Sequence, residues 1–404
     1  MSETAMTEER ELPVHMRRTT FDPVAELGEM REGPGIARVT TMFGHEAWLV
    51  TRFADVREVL GDAERFSNSR VMEMRRPPGM SDMTDEELAQ ARAGNLLAHD
   101  PPDHTRLRRL LTPEFTVRRM RRLEPRIREI VQEHLDAMER KGPPSDLVAD
   151  FALPVPSLVI CELLGVPYAD RTEFQERSTR LLDLSVPMKE RMRLSRESRA
   201  YMADLVAKAQ AESGEDMLGM LVREHGNDVT TDELIGIASL LLIAGHETTA
   251  NMLGLGTLAL LRHPDQLALV RDDPERVDPA VEELLRWLSI VHSGTAKMTT
   301  TDVEIAGQHI GKGEVVMLAL PAANRDPALL PDPDKLDVTR GVMGHVAFGH
   351  GIHHCLGAPL ARMEMRIAFP ALLQRFPDLR VTAEEPDFRS FNVIYGLTKL
   401  EVEW

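Results

Sequence analysis

The stretch from Thr230 to His263 leaves this chain few folds to choose from. Thr230-Thr-Asp-Glu233 is a capping-box sequence, in which a threonine hydroxyl and a glutamate side chain satisfy the first free amides of a helix. Pro264 stops the run, because proline has no amide hydrogen and its ring obstructs the preceding turn. Between these signals the residues are apolar around most of the helix circumference, a pattern that belongs in a protein interior. The continuous apolar part, Leu234 to Gly245, is too short to span a bilayer. Other protein must therefore enclose this helix. Its middle carries His246-Glu-Thr-Thr249, and a carboxyl group there is costly unless paired or used.

Most of residues 105–290 repeats the helical apolar spacing, and a short helical patch is expected from Thr84 to Ala93. Ile36-Ala-Arg-Val-Thr-Thr41 and Ala47-Trp-Leu-Val-Thr51 flank a turn at Phe43-Gly44-His45 and read as a hairpin. Strand signals return at Val303 to Ile305, Val315 to Leu318 and Val393 to Glu403. The expected class is mainly α with a small β-sheet region assembled from distant pieces. No linker, repeat or low-complexity tract divides the chain, so residues 1–404 read as one catalytic domain whose first twenty residues form a flexible segment.

A net charge of −17 argues against a nucleic-acid partner. Met1 to Arg18 is charged and has no apolar core of a signal peptide or anchor, so a soluble, cytoplasmic monomer is expected. The two cysteines, Cys161 and Cys355, form neither a CxxC pattern nor a disulfide framework. Cys161 lies in an apolar helical pattern and reads as core packing.

Cys355 sits in Phe348-Gly-His-Gly-Ile-His-His-Cys355-Leu-Gly357, just before the helix-like Ala358-Pro-Leu-Ala-Arg-Met-Glu364. Gly349 and Gly351 allow a tight turn that brings amides near the sulfur. Pro359 suits a first helical turn, which would place the sulfur at the positive end of a helix dipole. Such a cysteine is expected to have a lowered pKa and to act as a ligand or nucleophile. An inert cysteine in a Gly-rich turn is the plainer reading.

Glu247-Thr248 places a carboxylate beside a hydroxyl, which is the composition of a proton-delivery pair. Gly245 and the two threonines also invite a local break in the helical ladder, since threonine hydroxyls bond back to carbonyls. A helix kink with a buried, hydrogen-bonded glutamate fits equally. Glu283 and Arg286 share a helix face, and alone they suggest no more than a weak surface pair. His104 and Arg108 share a face of a helix opened by Asp100-Pro-Pro-Asp103, suited to binding a carboxylate pair or to facing solvent.

The ten residues around Cys355 resemble the haem-binding loop of the cytochromes P450, the haem-thiolate monooxygenases. Phe348, Gly351, His353, Cys355 and Gly357 match every fixed position of that pattern. The acid–alcohol pair, the Glu-x-x-Arg pair, Trp48-Leu-Val-Thr-Arg52, Ala323-Asn-Arg-Asp-Pro327 and Val393-Ile-Tyr-Gly-Leu397 extend the likeness to bacterial, especially actinobacterial, members. The resemblance implies the P450 fold, a single triangular α-rich domain holding haem b. Cys355 becomes the proximal iron ligand. Phe348, Gly357 and Ala244 become haem neighbours, and His104, Arg108 and His353 become propionate ligands. Glu247 and Thr248 supply protons to iron-bound O2, while Glu283 and Arg286 lock a helix to the segment before the cysteine loop. Lys297 departs from the family's arginine. It keeps the charge without the bidentate fork, so it reaches a propionate more weakly or points to solvent.

The implied reaction inserts one oxygen atom of O2 into a C–H bond, by hydroxylation or epoxidation. Electrons come from NAD(P)H through ferredoxin reductase and ferredoxin. Substrate contacts are expected from Met72 and Met80 with their neighbours Val71, Met74 and Met83, from Leu181 through a lid ending at Met188, and from Leu240, Ile243 and Ala244. Ile290, Val291, Val393 and Ile394 complete the set. Such an apolar lining, poor in aromatics, suits a bulky hydrophobic molecule such as a macrolide or other polyketide, a terpenoid or a steroid. Arg118, Arg119, Arg121 and Arg122 form a basic cluster that either docks an acidic ferredoxin or is a solvated helix face. Three other readings remain: a peroxygenase, a non-oxidative haem protein, and a non-haem metal site built from His350, His353 and His354.

Overall fold

The computed structural model describes residues 12–41, 44–74, 84–167, 170–212, 214–293, 295–382, 385–389 and 391–404. Met80 and Met83 lie outside the described residues, as do the side chains of Met72 and Met74. The helices that position the site are α1 (Asp103–Leu111), α2 (Val117–Lys141), α3 (Pro154–Leu164), α4 (Arg171–Leu182), α5 (Met188–Ala211), α6 (Thr231–Arg262), α7 (Val277–Leu288) and α8 (Ala358–Arg375).

Helix α6 is the axis of the molecule. Both halves of its capping box form, Thr230 Oγ1 accepting from the Glu233 amide and Glu233 from the Thr230 amide, and His263 ends it. It packs against α3, α5, α7 and α8. One reason that α8 comes so close is Gly256, where even a methyl group would stand 2.5 Å from the Phe369 ring. The expected break at Gly245 is not present, and α6 stays helical from end to end. Thr248 does bond back, donating its hydroxyl to the Ala244 carbonyl at 2.7 Å, and the ladder tolerates it.

The sheet is assembled from distant pieces, as the strand signals require. Strands β1 (Ile36–Thr40) and β2 (Glu46–Val50) form the expected antiparallel hairpin. The others are β3 (Phe66–Ser67), β4 (Ala296–Thr299) and β5 (Val315–Leu318), in the order β1-β2-β5-β4-β3. Strand β5 pairs parallel to β2 and antiparallel to β4, which fixes Lys297 opposite Val316. The long C-terminal strand expected from Val393 is split instead. Leu397–Lys399 (β7) pairs with Asp387–Phe388 (β6), while Glu401–Glu403 pairs with 380–381 and 145–146. At the break, the Leu400 amide donates to the Asp146 side chain and its carbonyl accepts from the Leu147 amide, while Gly396, just before β7, lies so close to Asn251 of α6 that no side chain fits between them.

Residues 14–20, part of the segment expected to be flexible, are structured. Residues 14–16 form a helical turn with His15 and Met16 buried, Arg18–Thr19 pairs with Asp22–Pro23, and Tyr395 donates its hydroxyl to the Thr20 carbonyl. Glu283 and Arg286 are fully buried rather than a surface pair. Two hydrogen bonds of 2.8 Å join them, Arg286 also donates to the carbonyls of Asn324 and Pro333, and Glu283 accepts from the Asp337 amide. The pair ties α7 to the 324–337 segment that leads to the cysteine loop.

Candidate functional site

The Cys355 loop is shaped by its glycines. Gly349 and Gly351 both have φ of +71°, and a side chain at Gly351 would meet the Leu60 carbonyl. The Cys355 amide donates to the Phe348 carbonyl at 2.9 Å, closing the turn. The amides that reach the sulfur are those of Gly357 and Ala358, at the start of α8, rather than those of the two turn glycines. Pro359 lies in the first turn of α8 and Gly357 caps it.

The expected low thiol pKa is not found in the protein alone. Burial raises it, outweighing the amides of Gly357 and Ala358 and the positive charges of Arg108 and Arg362. A metal cation bound at the sulfur would supply the charge that these groups lack, since a coordinated thiol loses its proton. Arg362 is held by two bonds to Glu282 (2.6 and 2.8 Å) and lies 4.6 Å from the centre of the Phe348 ring. Cys355 is deep within the protein and yet has open surface, so it faces an internal cleft. Ala244 is the exposed residue of an otherwise enclosed stretch of α6.

The four residues expected to bind propionates, His104, Arg108, His353 and Lys297, gather nearby. The rings of His104 and His353 are 4.3 Å apart, and neither ring nitrogen of either residue has a hydrogen-bond partner. Lys297 does not point to solvent. It is 3% exposed and donates to the Asn68 side-chain carbonyl at 2.9 Å. Burial holds His353 neutral, with a pKa of about 3, and lowers Lys297 to about 8. Neither Arg108 nor Lys297 has a carboxylate partner among the described ion pairs, although burial weighs on both. Polar groups this enclosed are ordinarily bonded. Two unpartnered imidazoles beside the Arg108 and Lys297 cations, a thiol at a helix N-terminus, and the small Ala244 and Gly357 fit a planar iron cofactor with two carboxylate arms.

Glu247 is fully buried and fully engaged. Its Oε1 accepts from the Thr179 hydroxyl at 2.5 Å, and its Oε2 accepts from Arg389 at 2.9 Å and Asn251 at 3.3 Å. Burial would raise its pKa, but the neighbouring charges and these bonds hold it below the usual carboxylate range. The charge that matters is that of Arg389, because burial keeps the adjacent His246 neutral. Asn251 lies one helical turn on and was legible as a neighbour from spacing alone. Thr179 and Arg389 carried no such signal.

The apolar lining is partly convergent. Leu240, Ile243, Val291, Val393 and Leu181 are half-buried, whereas Ile290 and Ile394 are fully packed. Val291 bridges to Ile394, the Tyr395 amide donates to the Ile290 carbonyl, and the Val393 amide donates to the Leu182 carbonyl. Three of the expected segments thus meet. The three-histidine alternative receives no support: His353 packs on His104, His354 on Phe348, and His350 approaches Arg57. Among the described residues no group of three or more His, Cys, Asp or Glu side chains is placed to hold a metal ion.

The Cytochrome P450 family model matches residues 188–392. The chain is 51% identical over 395 residues to Cytochrome P450 FAS1 of Rhodococcoides fascians, covering 98% of this chain and 99% of that protein. This chain belongs to the cytochrome P450 family. It is also 44% identical over 396 residues to pentalenic acid synthase of Streptomyces avermitilis, covering 96% of each. Among solved structures, P450 StaH from glycopeptide antibiotic A47934 biosynthesis is 44% identical with a TM-score of 0.86, covering 98% of this chain and 100% of that one. CYP105P1 in complex with filipin I is 40% identical with a TM-score of 0.89, covering 98% and 99%. The P450 fold, a haem cofactor and monooxygenase chemistry follow from this membership. Among the described residues no helix is long and apolar enough to cross a membrane.

Proposed function

We propose that this P450 oxidises a C–H bond of a bulky hydrophobic secondary metabolite, a polyketide, terpenoid or steroid, using haem b and electrons from a ferredoxin. The half-buried apolar side chains carry the reading: Leu240 and Ile243 next to Ala244 on α6, and Val291 and Val393 on segments that meet each other, offer contact area without hydrogen-bond donors. When bound, the haem supplies the activation of O2. Cys355 would hold the iron from the α8 side, and the two amides at the helix start would share the thiolate's charge. His104, Arg108, His353 and Lys297 would hold the propionates. His104 and His353 can each donate one N–H while neutral, so neither needs to be charged to bind.

Thr248 would pass on the proton of its hydroxyl, with Glu247, the next residue, replacing it. The apolar lining would exclude bulk water, so that protons arrive by this route. Glu283 and Arg286 would hold the scaffold of the cysteine loop and take no part in chemistry.

One catalytic domain would span the chain, as a cytoplasmic monomer. Arg118, Arg121 and Arg122 are exposed on α2 and would steer an acidic ferredoxin. Arg119 is turned inward onto Glu114 at 3.1 Å and leaves that surface. A substrate screen by spin-state shift tests the reading. Binding of large apolar compounds in the micromolar range or tighter is expected. A preference for small polar compounds would overturn it. Met72→Ala and Met80→Ala should weaken affinity or change the site of oxidation, and unchanged values would remove both from the pocket.

A further inference from the structure

We propose that Thr179 and Arg389 are positioning residues for the Glu247 carboxylate, so that the proton route is complete only while α4 and the C-terminal hairpin are both seated. The inference rests on the reading of Glu247 and Thr248 as the proton-delivery pair. Neighbouring residues on a helix do not face each other. Thr248 bonds back to Ala244, while Glu247 reaches α4 and the β6–β7 hairpin. Its carboxylate must therefore be supplied with protons from that side.

Both partners come from far along the chain, and both sit on elements next to the proposed substrate lining. Thr179 is in the last turn of α4, just before Leu181, and Arg389 directly follows β6. The two elements are also tied to each other. Asp183 bridges to Asn392, the Leu184 amide donates to the Phe391 carbonyl at 2.8 Å, and the Val393 amide donates to the Leu182 carbonyl at 3.2 Å. Withdrawing α4 would loosen these ties and take the Thr179 hydroxyl from Glu247 in the same movement.

Arg389 also gives the acid a path outward. Its side chain is 14% exposed, whereas that of Glu247 is enclosed. Beside it lies a cavity of about 10 Å³ lined by Asn251, Arg389, Ala250 and Gly254, close to the smallest space a water needs. A proton entering there reaches Glu247 without crossing the substrate pocket. Charged and titratable groups facing the carboxylate are Arg389 and His246, the latter with its Nδ1 3.9 Å away and neither ring nitrogen hydrogen-bonded.

The test compares Thr179→Val and Arg389→Gln with Thr179→Ser and Arg389→Lys in the haem-loaded enzyme, with Thr248→Ala alongside. Product formed per reductant consumed, the solvent deuterium effect and the pH profile are read. The Val and Gln variants should lose coupling about three- to tenfold, the cost of one hydrogen bond, and should show a larger deuterium effect. The Ser and Lys variants should keep most of it. In Arg389→Gln the acid-side limb of the pH profile should move up, because the carboxylate loses its cation. Wild-type coupling in both Val and Gln variants, with Thr248→Ala uncoupled, would overturn the inference and leave the monooxygenase reading standing. Wild-type coupling in Thr248→Ala would bring down both. Should Arg389→Gln fail to fold, Thr179→Val, which removes one hydroxyl, decides.

Discussion

Two of the glutamate–arginine pairs among the described residues have a fully enclosed carboxylate, Glu283–Arg286 and Glu247–Arg389, and they are built differently. Glu283 and Arg286 come from one helix, a turn apart, with three further backbone groups closing the set. Glu247 and Arg389 come from opposite ends of a long stretch of chain. Their closing partners are a hydroxyl on another helix and one amide, and Arg389 still touches solvent. The first pair is closed by its own helix and by backbone groups, none of them bordering the proposed pocket. In the second, the carboxylate depends on elements that border the pocket. Burial and charge alone do not separate the two; the origin of the partners does.

The largest expected effect tests the rigid pair. Glu283→Ala leaves Arg286 buried with its charge uncompensated, and should cost about 3–5 kcal/mol and most of the haem-loaded protein. Chemical denaturation and the yield of holoprotein measure it. Glu247→Ala should cost less than half as much, because Arg389 can turn to solvent. Equal losses would erase the distinction between the pairs.

Lys297 extends the comparison to a buried charge with no ion-pair partner among the described residues. Its folded pKa of about 8 lies below its usual 10.5 because of burial. Between these values the unfolded chain binds the extra proton, so haem-free protein should gain stability as pH rises from about 8 to 10.5, and gain nothing more above that. The gain is on the order of a few kcal/mol. Lys297→Met should flatten this slope in urea denaturation across the same pH range. An unchanged slope would assign it to other groups.

Thr248→Ala should lower product per reductant by about tenfold, or about 1.4 kcal/mol, while sparing turnover driven by peroxide, which brings its own protons. Loss of both would make Thr248 a structural residue like those of the rigid pair. The smallest effect is at the surface. Arg118→Glu should leave stability within about 0.5 kcal/mol, yet slow reduction by ferredoxin and weaken its salt dependence. An unchanged rate would make that face ordinary solvated helix.

Local chemistry was legible in the sequence. The capping box at Thr230, the stop at Pro264, the glycine turn before Cys355 and the i, i+3 pair each rest on residues within a few positions of one another. What stayed hidden was long-range. Nothing near Glu247 announces Thr179 or Arg389, and nothing near Lys297 announces Asn68. The C-terminal strand is shorter than its pattern because Leu400, at the break, bonds to Asp146 and Leu147, far along the chain. The thiol pKa was misjudged for the same reason: the loop shows the helix end that lowers it, whereas the burial that raises it belongs to the whole fold.

The most direct measurement is the absorption spectrum of the purified, dithionite-reduced protein under carbon monoxide, for the native chain and for Cys355→Ser. A strongly red-shifted Soret band in the native protein, lost in the variant, is the result expected of a haem held by the Cys355 thiolate. Bound haem without that band, or a band that survives Cys355→Ser, would contradict it.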